Sequence, residues 1–153
     1  MDKEAHKKLA DDFVELLRTT NRDGIEELIR YLQEETDFFT APASAKYHGA
    51  FESGLLMHSI NVCAELNLDP NSKVYPSETI IIVALLHDIC KANFYGVEMR
   101  NRKNEQDQWE NYPFYVVNDQ LPYGHGEKSV YIISSFMKLT RDCLLYTSDA
   151  ADE

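Results

Sequence analysis

Imidazole and carboxylate are the groups in this chain whose placement points to chemistry. Four of the five histidines, His48, His58, His87 and His125, fall within or just outside apolar helical stretches, and Asp88 follows His87 directly. Side by side, the two offer one nitrogen and one oxygen to a single divalent ion, a mixture suited to Mn, Fe, Zn or Mg rather than to a structural zinc site. Asp88 also lies at the end of the most hydrophobic segment, where an ionised carboxylate is costly unless paired; a cation beside it removes that cost. On spacing alone a second reading stands beside the first: Asp88 as a C-terminal turn residue, His87 as a core imidazole bonded to a backbone carbonyl. His48 reads equally as a loop histidine. His125 lies between Gly124 and Gly126, either as an ordinary first-turn residue or where glycines let a backbone approach a ligand.

The elements that carry these groups read as mostly helical. Residues 4–18 place Ala5, Leu9, Phe13, Leu16 and Leu17 on one face. Asp23, with Glu26 three positions on, resembles a capping box for a second helix whose stripe is Ile25, Leu28, Ile29 and Leu32. Pro42 and small residues make 36–46 a loop. Helical character resumes near Phe51 and runs to about Leu66, with Leu55, Leu56, Ile60 and Val62 inward, before the turn chemistry of 67–72. Ser77 is expected to cap a central buried helix over 79–89, although β-branched Ile80, Ile81, Ile82 and Val83 also suit a strand. Between 95 and 117, Val97, Met99, Trp109, Tyr112, Phe114 and Val116 flank a polar stretch, 101–108, which reads as a hairpin with a long exposed turn. A last amphipathic helix spans 127–139, with Val130, Ile133, Phe136 and Met137 inward, and Thr140 offers an N-cap for another. The fold class is a mostly α domain with a β-hairpin insertion.

Composition narrows the partners. The chain has 153 residues and a net charge of −11, so it repels a phosphate backbone overall, and any phosphate-handling site must bring its own cation. Three cysteines without Cys-x-x-Cys spacing fit reduced thiols in a cytosol. The longest apolar run, 80–86, is far short of the roughly 18–20 residues that span a bilayer, and the charged N-terminus lacks a secretory signal, so a cytoplasmic globular domain with no membrane partner is expected. Residues 143–153 look like the translation of a sequencing adapter; the expectation is one incomplete domain over 1–142 followed by a non-native tail, and the balance stays acidic without that tail.

Gly54-Leu-Leu-Met-His58-Ser, followed by Ala84-Leu-Leu-His87-Asp88-Ile-Cys-Lys91, resembles the HD-domain superfamily of metal-dependent phosphohydrolases over roughly residues 47–139. The resemblance implies a helical bundle in which His58 is the first metal ligand and His87 and Asp88 form the doublet that names the family. It implies one or two divalent ions, Asp88 able to bridge them, and Lys91 holding a phosphate oxygen. Cys90 departs from the glycine common at its position. The segment from Tyr47 through His58 is similar to the opening motif of HD-domain 3′–5′ exoribonucleases, which implies that His48 contacts substrate or metal. Gly124-His125-Gly-Glu127-Lys128-Ser129 resembles the third histidine motif of multi-metal variants, making His125 a candidate ligand, with Glu127 and Lys128 weaker candidates. The final aspartate of the family is expected beyond Thr140, where the adapter-like tail stands, so a weakened site is implied.

The expected activity is hydrolysis of a phosphomonoester or phosphodiester, with a phosphorylated small molecule or a single-stranded nucleic acid as substrate. On the hairpin, Trp109, Tyr112, Phe114 and Tyr115 beside Arg100, Arg102 and Lys103 either stack a base next to a basic turn or simply hold the hairpin in register. The rival from another class is a non-catalytic regulatory or metal-binding module on the same scaffold.

Overall fold

The computed structural model describes residues 2–119 and 123–144. Five helices and one hairpin make up the ordered elements among them: α1 (Lys3–Thr19), α2 (Ile25–Glu34), α3 (Gly54–Leu68), α4 (Ser77–Leu86), β1 (Tyr95–Lys103), β2 (Trp109–Val117) and α5 (His125–Ser134). Short 3₁₀ turns at Pro70–Val74 and Ile89–Lys91 follow α3 and α4. No helix among the described residues is long and apolar enough to cross a membrane.

α4 is the centre of the core, and its composition explains why. A helix apolar on every side must be surrounded, and Ile81, Ile82, Val83, Ala84, Leu85 and Leu86 are all buried. Packing thus selects helix over strand for this β-branched run. α3 packs along α4, and α1 packs against both. Fully burying side chains such as Leu55, Leu56, Leu85 and Leu86 contributes about 1.5–3 kcal/mol each. The connection between α3 and α4 is short, so the two run antiparallel and the first turns of α3 meet the last turn of α4. That pairing of ends puts His58 opposite His87.

Two helix starts differ from the expectation. α2 does not use Asp23 as its cap: Gly24 occupies that position at φ +87°, without a side-chain cap bond, and Glu26 pairs instead with Arg18 at 2.8 Å. A Cβ at Gly24 would stand 1.9 Å from the Phe136 carbonyl oxygen, so close backbone approach, not capping, decides this junction. Ser77 lies inside α4, with Pro76 at the cap position. The hairpin pairs Tyr95 with Val117 through Lys103 with Trp109, so its loop is only residues 104–108. α5 begins at His125, two residues early, and ends at Ser134. Thr140 does cap the next helical turn, its Oγ1 accepting from the Cys143 N–H at 3.3 Å, and Cys143 is itself buried in the core.

The loop over 40–54 is folded tightly against the start of α3. Ala43 N–H donates to the Gly49 carbonyl at 2.9 Å, and Leu55 N–H to the Ala41 carbonyl at 3.0 Å. A Cβ on Gly54 would meet the Gly49 carbonyl oxygen at 2.0 Å. Gly54→Ala is therefore expected to destabilise the protein by about 1–3 kcal/mol, as overpacking against rigid backbone does. For a chain of this size that is a fall of roughly 2–4 °C in thermal midpoint per kcal/mol, readable by calorimetry. An unchanged midpoint would show that the loop yields freely.

Candidate metal centre

His58 and His87 point their Nε2 atoms at each other, 3.1 Å apart, and each lies 3.4 Å from Asp88 Oδ2. His58 comes from the second turn of α3. His87 is the C-cap of α4, its N–H still donating to the Val83 carbonyl at 2.9 Å. Asp88 occupies the cap position of the following 3₁₀ turn but makes no cap bond, which leaves its carboxylate for the imidazoles. His87 and Asp88 are each 3% exposed. Among the described residues these three form the one group of three or more His, Cys, Asp or Glu whose ligand atoms all lie within 4.8 Å of one another.

The donor chemistry fits a cation. His87 Nδ1 lies 2.8 Å from the Ala84 carbonyl, an acceptor only, so Nδ1 carries a proton and Nε2 is the nitrogen turned to the cluster, a donor to Asp88 when protonated and a lone pair for a cation when not. A carbonyl holding the far nitrogen is the usual device for fixing a metal-binding imidazole. This bond joins the two readings the sequence left open, because a core histidine tied to a carbonyl is also an oriented ligand. Two imidazole nitrogens and a carboxylate oxygen make up the set, and that group is able to hold a metal ion.

The electrostatics centre on one oxygen. Burial would raise the pKa of Asp88, but hydrogen bonds from His58 and His87, with the charges of His87 and Lys91, hold its carboxyl well below the usual carboxylate range. Lys91 Nζ is 2.7 Å from the same Oδ2. The lysine that the family resemblance assigns to a phosphate is thus engaged with the carboxylate, and a phosphate contact requires it to swing outward.

The other candidates are placed at differing distances from this cluster. His48, exposed on the 40–54 loop, has its ring 5.4 Å from that of His58. His125 is not part of the three-residue group: its Nδ1 faces the Cys90 sulfur at 3.3 Å and its ring lies 5.3 Å from Phe94. Burial, partly offset by the Ser129 hydroxyl, pushes the Cys90 thiol up to about 11, so it meets His125 as a neutral S–H. Lys128 is buried against the Phe94 ring and paired with Asp119. Glu127, on the first turn of α5, is exposed. Arg100 lies on the exposed hairpin, 2.9 Å from Glu98 and over the Phe114 ring, and Arg102 caps the Tyr112 ring at 3.3 Å. The guanidinium groups are thus already occupied by their own strands.

Three positioning groups escape sequence reasoning. Ser129 Oγ donates to the His87 carbonyl at 2.6 Å, tying α5 to the end of α4. Asn93, at φ +55°, exchanges two hydrogen bonds with Asp37: its N–H donates to Oδ1 at 2.6 Å and its Oδ1 accepts from the Asp37 N–H at 3.0 Å. Tyr95 donates its hydroxyl to the Ala43 carbonyl at 3.3 Å, fastening the hairpin root to the histidine loop. The only local signal was Ser129, a hydroxyl on the inward face of a helix. No family model, curated protein or solved structure matches this chain.

Proposed function

We propose that this protein is a metal-dependent phosphohydrolase of the HD-domain type, acting on the phosphoester of a nucleotide or nucleic acid. The observation that carries this reading is the convergence of His58 Nε2, His87 Nε2 and Asp88 Oδ2, with His87 fixed by a backbone carbonyl. A divalent ion held there supplies a Lewis acid and an acidified water. His58 and His87 contribute neutral nitrogen donors, and Asp88 contributes the negative charge that makes a cation favourable in a buried setting. Lys91, once released from Asp88, offers a point charge to a phosphoryl oxygen, where it would offset charge developing during cleavage. A local cation centre also answers how a protein of charge −11 approaches a phosphate.

The test is turnover of bis-p-nitrophenyl phosphate and p-nitrophenyl phosphate with Mn²⁺, Mg²⁺, Fe²⁺ or Zn²⁺. Metal-dependent release that chelation and Asp88→Ala both abolish is expected; release unchanged in Asp88→Ala removes the reading. The Lys91–Asp88 contact favours a second reading, a non-catalytic module in which the lysine ammonium takes the place of the ion. Protein purified without bound metal, and taking up none on titration, would select it.

A further inference from the structure

A cleft of about 370 Å³ lies between the 40–54 loop and the hairpin, its walls formed by Lys46 and Phe51 on one side and by Val97, Tyr112, Phe114 and Tyr115 on the other. That volume is within the roughly 300–1,000 Å³ of small-molecule sites. The loop also reaches the metal centre: His48, between the two cleft-lining positions Lys46 and Phe51, has its ring 5.4 Å from that of His58, tilted by 45°. The hydroxyl bond from Tyr95 to Ala43 fastens the hairpin to this loop, which carries residues of one cleft wall and His48 beside the centre. Large apolar groups stand open here, with Phe51 45% and Val97 61% exposed.

The geometry points to this cleft as the binding site for the base of a nucleotide whose phosphate lies at the metal centre. The inference rests on the hydrolase reading and adds the group that selects substrate. Among the described residues Lys46 is the one charged residue lining the cleft, a cation in an acidic chain, so the cleft suits a ligand that is flat, apolar and anionic at one end. A nucleotide has that form, and aromatic walls hold bases by stacking with little sequence preference. Tyr115 adds a polar contact. Burial raises its pKa, with the Glu52 and Tyr112 side chains adding to the shift, so its hydroxyl remains a neutral donor or acceptor for a base edge. Tyr112 and Phe114, edge to face at 5.4 Å with arginines over their rings, keep this part of the wall in place.

The experiment compares binding of adenosine 5′-monophosphate and ribose 5-phosphate by calorimetry in the presence of Mn²⁺, using the whole chain. The nucleotide is expected to bind at least roughly tenfold more tightly, as one stacked base allows. Phe51→Ala, at a partly exposed position, is expected to close that gap while leaving ribose 5-phosphate affinity and the thermal midpoint unchanged. Tyr115→Phe tests the hydroxyl separately from the ring and is expected to retain most of the gap. Equal affinity for the two ligands, or a gap that survives Phe51→Ala, overturns the base site while leaving the metal centre standing. Ribose 5-phosphate binding that is unaffected by His87→Ala, or no binding of either ligand, counts instead against the hydrolase reading beneath it.

Discussion

Replacing His87 by alanine is expected to weaken divalent metal binding by roughly a hundredfold or more. Disturbing a partner that merely orients a ligand already costs about 10–100-fold, and this substitution removes both the ligand nitrogen and its orienting bond to Ala84. The remaining pair, His58 and Asp88, offers one nitrogen and one oxygen, and His58 has greater access to water than His87. Titration of metal-free protein with Mn²⁺, followed by calorimetry, reads the loss directly. His125→Ala is the matched control, because His125 faces Cys90 and lies outside the three-residue group. It is expected to change affinity by less than about tenfold, below the cost of a disturbed orienting partner. Equal losses in the two variants would mean that the ligand set is different from the one the geometry assembles.

How much of this centre was readable beforehand follows from how each residue is positioned. His58 and His87 lie on helices whose apolar patterns are strong, and a short antiparallel connection leaves few ways to arrange them. Their convergence was expected from the motif resemblance, not from the spacing, and the packing of these two helices supplies its physical reason. Gly24 was not legible: its left-handed conformation answers a carbonyl from Phe136, more than a hundred residues away, and no local pattern carries that contact. Lys91 is a different case: its partner Asp88 is only three residues away, but the pairing depends on how the chain tightens into a 3₁₀ turn after His87. The hairpin was visible through its alternating aromatics, but its outcome mixes both readings. Tyr112 and Phe114 are covered by their own arginines, as residues holding a hairpin in register would be, while the open cleft lies toward Phe51 and Tyr115. Which face of a two-stranded sheet meets the body depends on its tether, and the Tyr95 to Ala43 bond joins segments 52 residues apart.

Asp88→Asn is expected to remove metal binding and, in metal-free protein, to cost stability as well. Taking away one partner of a buried charge cluster leaves the others uncompensated, typically by about 3–5 kcal/mol. Lys91 retains some access to water, so the lower end of that range is expected. The pH dependence gives the more specific signature. The native carboxyl is held far below its ordinary range by the imidazoles and the lysine despite its burial, whereas an unfolded aspartate titrates near about 3.9. Between those values the unfolded chain binds a proton that the native state refuses. The stabilisation from Asp88 is therefore fully present above about pH 4 and is lost as pH falls toward the depressed native value. An asparagine has no such linkage. Urea unfolding of both proteins in chelator, from pH 7 downward, should show a gap that is constant near neutrality and narrows below about pH 4. A gap that does not narrow would mean that Asp88 is not held as an anion among the imidazoles and Lys91. Its carboxyl would then titrate as it does in the unfolded chain, without the stabilising partners that the cluster supplies.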